Sequence, residues 1–177
     1  MTRSDKRRVL LFATVVILAG AAGTLFNIWR MGSAGDDGAA AAVMATRLPD
    51  LQGRPQSLSQ WRGKVLVINL WATWCTPCRE EIPAFVRLQD KYRARGLQFV
   101  GIAIDQRDPV QAFAREFGMN YPVLLGDVKT VEMSRRAGNH IGALPFTLVI
   151  DRNGKIVGTV LGTIKEDKFQ GIIESLL

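Results

Sequence analysis

Residues 64–78 read KVLVINLWATWCTPC, a short apolar run that ends on two cysteines. Val65, Leu66, Val67, Ile68 and Leu70 suit a strand covered on both faces. From Pro77 to Arg95 the spacing turns helical. Ile82, Phe85, Val86, Leu88, Gln89 and Tyr92 form one stripe, with Arg79, Glu80, Arg87, Lys91 and Arg93 mostly outside it. A strand therefore delivers Cys75 to a helix N-terminus, at the carboxyl end of a sheet. Unpaired backbone N–H groups and the positive end of the helix dipole favour a thiolate there. Pro77 fits the first helical turn, where its missing N–H costs nothing. Pro83, eight residues after Cys75, predicts a kink.

Cys75 and Cys78 are the only two cysteines in 177 residues, and His140 is the single histidine. Zinc normally takes four ligands, more than this set offers. A disulfide closing so short a loop adds little loop-closure stability, so a structural staple is a poor reading. Thiol redox chemistry fits the pair best.

The block from Val65 to Pro83 resembles the thioredoxin superfamily, including Trp74 before the first cysteine and the proline inside the helix. W-C-x-P-C followed by R-E-E-I-P is similar to the membrane-anchored TlpA/ResA-type thiol-disulfide oxidoreductases. The likeness runs over about residues 45–177 and takes in Leu48-Pro49-Asp50-Leu51-Gln52-Gly53 and Leu144-Pro145-Phe146-Thr147. It implies a thioredoxin-like α/β sandwich with a central insertion, which the 70 residues between Cys75 and Pro145 accommodate. It also implies that Cys75 and Cys78 are the redox pair, flanked by Trp74, Thr76 and Pro77. Pro145 becomes the cis-proline facing the cysteines, and the Leu144 backbone becomes a strand-like docking point for an extended substrate.

Two acidic positions qualify the resemblance. Asn69 stands six residues before Cys75, where thioredoxin has a buried acid; TlpA-like proteins commonly carry Asn there. Glu81, three residues after Cys78, matches an acid near the active site of ResA-like members. Partly buried, it would shift its pKa and handle thiol protons. Fully solvated, it would be no different from Glu80.

Outward from the motif, Leu97–Ile104 reads as a second buried strand. Asp108 and Pro109 read as the N-cap and first residue of a helix to about Phe117. Tyr121–Leu125 reads as a short strand and Lys129–Ala137 as a short helix. Phe146–Ile150 and Lys155–Leu161 form a hairpin turning at Asn153-Gly154, and Lys165–Leu177 a closing helix. The predicted order is β-α-β-α-β-α-β-β-α, with a possible hairpin near residues 47–58 ahead of it. Trp71 reads as core, and His140 as an exposed loop residue.

Val9–Trp29 is a run of 21 uncharged residues, about 31 Å as a helix and long enough to span a bilayer. Arg3, Lys6, Arg7 and Arg8 precede it and Asp36 and Asp37 follow at a distance. The positive-inside rule places residues 1–8 in the cytoplasm and the thiol domain outside. That predicts a single-pass anchor in a bacterial inner membrane, with the C-terminal domain in the periplasm. A cleaved signal peptide is the alternative, though its apolar region is normally shorter. Residues 30–46, small and polar, read as a flexible linker, and 47–177 as the thioredoxin-like domain.

The net charge is +7 overall, and residues 47–177 hold 18 Lys/Arg against 13 Asp/Glu. No basic stripe interleaved with aromatics appears, which argues against nucleic acid. The excess suits an anionic bilayer or an acidic partner. No cofactor and no metal are implied.

The expected partners are protein thiols and disulfides, with a membrane thiol reductant restoring electrons. By resemblance the clients belong to respiratory-chain maturation, such as haem-binding cysteines of apocytochrome c or copper-site cysteines of an oxidase. Specialised cytochrome-maturation members carry an acid just after the cis-proline; this chain has Phe146. A disulfide-inserting oxidase would use the same cysteines. A copper chaperone would use Cys75, Cys78 and His140.

Overall fold

The computed structural model describes residues 38–177. The apolar run Val9–Trp29 and the cytoplasmic segment read ahead of it lie outside the described residues. Among the described residues no helix is long and apolar enough to cross a membrane.

Residues 38–45 are helical (α1), which corrects the reading of this stretch as flexible linker. Ala40, Val43 and Met44 are buried, and spacings of three and four residues put them on one helical face. Val43 and Met44 join the core packed on Leu66, Ile68 and Leu70. The run is alanine-rich, so its hydrophobic contrast is weak, yet alanine is the best helix former.

A small antiparallel hairpin follows, β1 (Arg47–Pro49) with β2 (Pro55–Ser57), as the sequence suggested. The main sheet contains β3 (Val65–Trp71), β4 (Leu97–Ala103), β5 (Val123–Leu125), β6 (Phe146–Ile150) and β7 (Ile156–Leu161). Its order is β5-β4-β3-β6-β7. β3 runs parallel to β4 and antiparallel to β6. Every residue of β3 is buried, as its apolar run, broken only by Asn69, predicts for a central strand.

Helices α2 (Thr76–Tyr92), α3 (Arg107–Glu116), α4 (Val128–Arg136) and α5 (Glu166–Leu176) complete the chain in the expected order. Leu66, Ile68 and Leu70 face one layer, with α1, Leu58 and Ala137. Val65 and Val67 face the other, against Phe85, Leu88 and Tyr92 of α2 and Phe169 and Ile173 of α5. Period-two alternation along β3 makes this division. α2 continues through Pro83, which leaves the Arg79 carbonyl without its helical N–H partner.

Two boundaries differ from the sequence reading. α3 starts at Arg107 with Gln106 as its N-cap, not at Asp108 and Pro109. The acid that organises this corner is Asp105, whose Oδ1 accepts from the Gln106 N–H at 2.7 Å. Pro109 still lies in the first turn, where no helical donor is lost. The β6–β7 turn is also not a two-residue Asn-Gly turn, because among the described residues no non-glycine residue has positive φ and the tight form needs it at both positions. Instead Asp151 Oδ1 accepts from the Asn153 and Lys155 N–H groups at 2.9 Å each, around Gly154 at φ 86.

Docking of α1 has a measurable consequence. In urea unfolding of a chain beginning at Asp37, Val43→Ala is expected to cost about 2 kcal/mol. Ala41→Ser, on the exposed side, is expected to be near neutral. Equal stability of both variants would mean that α1 does not pack on the sheet.

Candidate active site

The cysteines stand where β3 hands over to α2. Cys75 is the N-cap of α2, and its Sγ accepts from the Cys78 N–H at 3.3 Å. The two are joined in a disulfide, with Cα atoms 5.3 Å apart. Both cysteines are buried, Cys78 wholly and Cys75 at 5% exposure, so what little access there is reaches the first cysteine. Trp74 is 69% exposed beside it, and Thr76 and Pro77 cover the outer side of the same turn, both exposed.

Neighbouring groups hold this turn in place. Asp105 Oδ2, just past β4, accepts from the Thr73 backbone N–H at 3.1 Å and from the Thr73 hydroxyl. The Arg79 guanidinium sits 5.1 Å and 5.3 Å from the centroids of Phe113 and Phe117, stapling the first turn of α2 to α3 through cation–π contact. Opposite them, the Leu144–Pro145 bond is cis, as the resemblance implied. Leu144 packs against the cluster containing Trp71, Cys75 and Cys78. Buried Asn139 fixes the loop: its Nδ2 donates to the Ala143 carbonyl at 2.9 Å and its Oδ1 accepts from the Ala143 N–H at 3.0 Å. His140, next to it, is exposed. Among the described residues no group of three or more His, Cys, Asp and Glu could hold a metal ion.

Glu81 is where the two adjacent acids of α2 part. It is only 4% exposed, whereas Glu80 faces solvent. Being three residues after Cys78 places it one turn along the same face of the helix. Its Oε1 accepts from Asn69 Nδ2 at 2.9 Å, and the same nitrogen donates to Thr147 Oγ1 at 3.0 Å. Burial pushes its pKa from 4.5 up to about 7, against smaller opposing pulls from the Asn69 amide and the Ile164 backbone. An acid poised near neutrality, one turn from a buried thiol, can exchange protons with it. Asn69, which replaces an acid, thus serves as the donor that orients one.

The geometry brings Trp74, Cys75, Thr76, Pro77, Cys78, Glu81, Leu144 and Pro145 to one end of the sheet. Sequence reasoning missed Thr147, Asp105 and Asn139. A hydroxyl inside the apolar run FTLVI was a visible oddity, but its partner is 78 residues away and only strand register reveals it. Asn139 sat in a turn-rich stretch that gave no sign of burial.

A disulfide-bonded pair with its first cysteine at a helix N-cap, and a cis-proline loop packed on the same cluster, define a dithiol–disulfide exchange site on a thioredoxin-like fold. Comparison with known proteins agrees. Residues 35–174 match the Redoxin family. The chain is 30% identical over 176 residues to the thiol-disulfide oxidoreductase ResA of Geobacillus thermodenitrificans, covering 97% of this chain and 98% of that one. It is 28% identical over 164 residues to ResA of Bacillus subtilis, covering 91% and 89%. A thioredoxin-family thiol:disulfide interchange protein of Chlorobium tepidum superposes with a TM-score of 0.68 at 31% identity, covering 74% of this chain and 92% of that one. A secreted disulfide oxidoreductase of Mycobacterium tuberculosis shares the fold, with a TM-score of 0.65 at 20% identity over 75% of this chain and 97% of that one. The chain belongs to the Redoxin family, as a TlpA/ResA-like thiol-disulfide oxidoreductase of the thioredoxin superfamily.

The raised pKa of Glu81 sets a pH dependence of stability. The folded state holds this proton up to about pH 7, whereas the unfolded state releases it near 4.5. Between those values the folded state binds more protons, so stability falls as pH rises. The loss through that window is about 3 kcal/mol. Glu81→Gln cannot ionise and escapes it. Urea unfolding at pH 5 and pH 8 should show the variant gaining about 2.5 kcal/mol on wild type across the interval. A constant difference would place Glu81 in water.

Proposed function

We propose that this chain is a membrane-tethered, extracytoplasmic reductase of protein disulfides. The carrying observation is the placement of the two cysteines: Cys75 at the helix N-cap beside exposed Trp74, Cys78 wholly buried behind it and one turn from Glu81. In the reduced protein the Cys75 thiolate attacks a client disulfide. A mixed disulfide forms and the client's other sulfur leaves as a thiolate, which takes up a proton. Cys78 then gives its proton to Glu81 and attacks Cys75 Sγ. The second client sulfur is expelled as a thiolate, and Cys75–Cys78 closes. Two electrons pass to the client, and a membrane thiol donor returns two to the enzyme.

The Leu144–Pro145 loop is the docking edge for the client in this reading, and Trp74 its apolar flank. The run Val9–Trp29 is the anchor, with residues 1–8 in the cytoplasm and the thiol domain in the periplasm. The clients are cysteine pairs that must be kept reduced to receive haem or copper during cytochrome c or oxidase maturation. Similarity to relatives called thiol-disulfide oxidoreductase ResA supports the chemistry; the client class is our inference.

Two measurements test it. Cys78→Ser should accumulate mixed disulfides through Cys75, and Cys75→Ser should form none and lose all reductase activity; trapping through Cys78 instead would reverse the roles. The reduction potential should fall near thioredoxin, roughly −270 mV, rather than near the oxidant DsbA at about −120 mV. A value at the oxidising end would make this an enzyme that inserts disulfides.

A further inference from the structure

Among the described residues four buried side-chain polar atoms have no hydrogen-bond partner: Asn69 Oδ1, Trp71 Nε1, Glu81 Oε2 and the Tyr121 hydroxyl. Their side chains gather in one layer. Asn69 and Trp71 are two apart on β3 and so share a face, the one covered by α2, whose Glu81 meets Asn69. Asn69 lies in register with Gly101 of β4, and Gly101 with Val123 of β5. A Cβ on Gly101 would lie 2.9 Å from Trp71 Nε1 and 3.4 Å from Tyr121 Cε2. The indole nitrogen and the phenol ring therefore converge over a residue with no side chain. Asn69, Trp71, Glu81 and Tyr121 are 1%, 0%, 4% and 7% exposed.

Buried polar groups in native proteins are overwhelmingly satisfied, often by internal water making about three hydrogen bonds. The chemistry of this set is complementary. Trp71 Nε1–H only donates, Asn69 Oδ1 only accepts, the Tyr121 hydroxyl does both, and Glu81 Oε2 accepts when ionised. One water can accept from the indole and the phenol and donate to the amide and the carboxylate.

We propose that Asn69, Trp71, Glu81 and Tyr121 form an internal hydration site, and that Tyr121, acting through the water held there, is a positioning residue for proton exchange at Glu81. The proposal rests on the role given to Glu81 above. Burial, and then the charge of Glu81, hold the Tyr121 hydroxyl above its ordinary pKa, so it stays a donor. The other groups around Glu81 are Asn69 and Thr147 on the sheet, the Ile164 backbone N–H, and the cysteines at the head of α2. On the outer side Glu80, Arg87, Lys165 and Glu166 line a cleft of about 440 Å³ that also reaches Glu81. Arg87 and Glu166 there pair with each other at 2.6 Å.

A donor relayed to Glu81 favours its ionised form, so removing it raises the Glu81 pKa. Tyr121→Phe keeps the ring that packs 5.6 Å from Phe99 and deletes only the hydroxyl. In the full-length reduced protein, the Glu81-dependent step in the pH profile of Cys75 alkylation should move up by about one pH unit. In a Glu81→Gln background, Tyr121→Phe should move nothing. The site itself is read separately, by laboratory-frame and rotating-frame NMR cross-relaxation between the Trp71 indole N–H and water. Laboratory-frame and rotating-frame cross-peaks of opposite sign, the mark of a long-lived water, are expected, and their absence overturns the hydration site. A cross-peak with an unmoved Tyr121→Phe profile overturns the positioning role while the Glu81 reading stands. If Glu81→Gln itself leaves the profile unmoved, the Glu81 reading and the positioning role both fall, and the cross-peak alone decides the hydration site.

Discussion

One amide nitrogen, Asn69 Nδ2, donates to Thr147 on one side and to Glu81 on the other, and so ties the two central antiparallel strands to the helix carrying the cysteines. It does this from the middle of β3, where every neighbour along the strand is apolar. A hydrogen bond to a group that can carry charge is worth about 1.5–3 kcal/mol, and an abandoned buried partner costs comparably. Few other registers of α2 against the sheet would satisfy it. The position of the acid relative to Cys78, and hence of both sulfurs relative to the sheet edge, follows from this bond and the helical repeat.

The electrostatics of the site are two opposed preferences held a turn apart. The helix N-terminus favours negative charge on Cys75. Burial disfavours negative charge on Glu81 and brings its pKa to about 7. A thiolate at the helix N-cap and a proton acceptor behind it can then coexist near neutral pH, the arrangement a two-step exchange requires. The clamps around them, Asp105 on Thr73 and Arg79 on Phe113 and Phe117, limit how far the first turn of α2 can move as the disulfide opens and closes.

Much of this was legible in the chain because the signals are local. The switch from the apolar run at Val65 to helical spacing after Pro77 located both β3 and α2, and the element order after it held throughout. Resemblance told Glu81 from Glu80, and the helical repeat agrees, since Glu81 shares the face of Phe85, Leu88 and Tyr92 whereas Glu80 falls with Arg87 and Lys91. What escaped notice was either low in contrast or long in range. Residues 38–45 hid their helix in alanine, whose small side chain marks no face. Asp105, rather than Asp108, organised its corner because Thr73 lies beside it, just past the end of the neighbouring strand. The convergence of Trp71 and Tyr121 over Gly101 depends on the pairing of three strands, which no window of sequence contains.

The central claim is that Glu81 is a buried acid poised near neutrality beside the thiols. A carbon-13 NMR titration of the glutamate carboxyl groups, with Glu81→Gln used to assign the signal, measures this without reference to any client. The account predicts a Glu81 midpoint of about 7. A midpoint at the ordinary 4.5 would contradict it, and leave the cysteine pair without an internal proton acceptor.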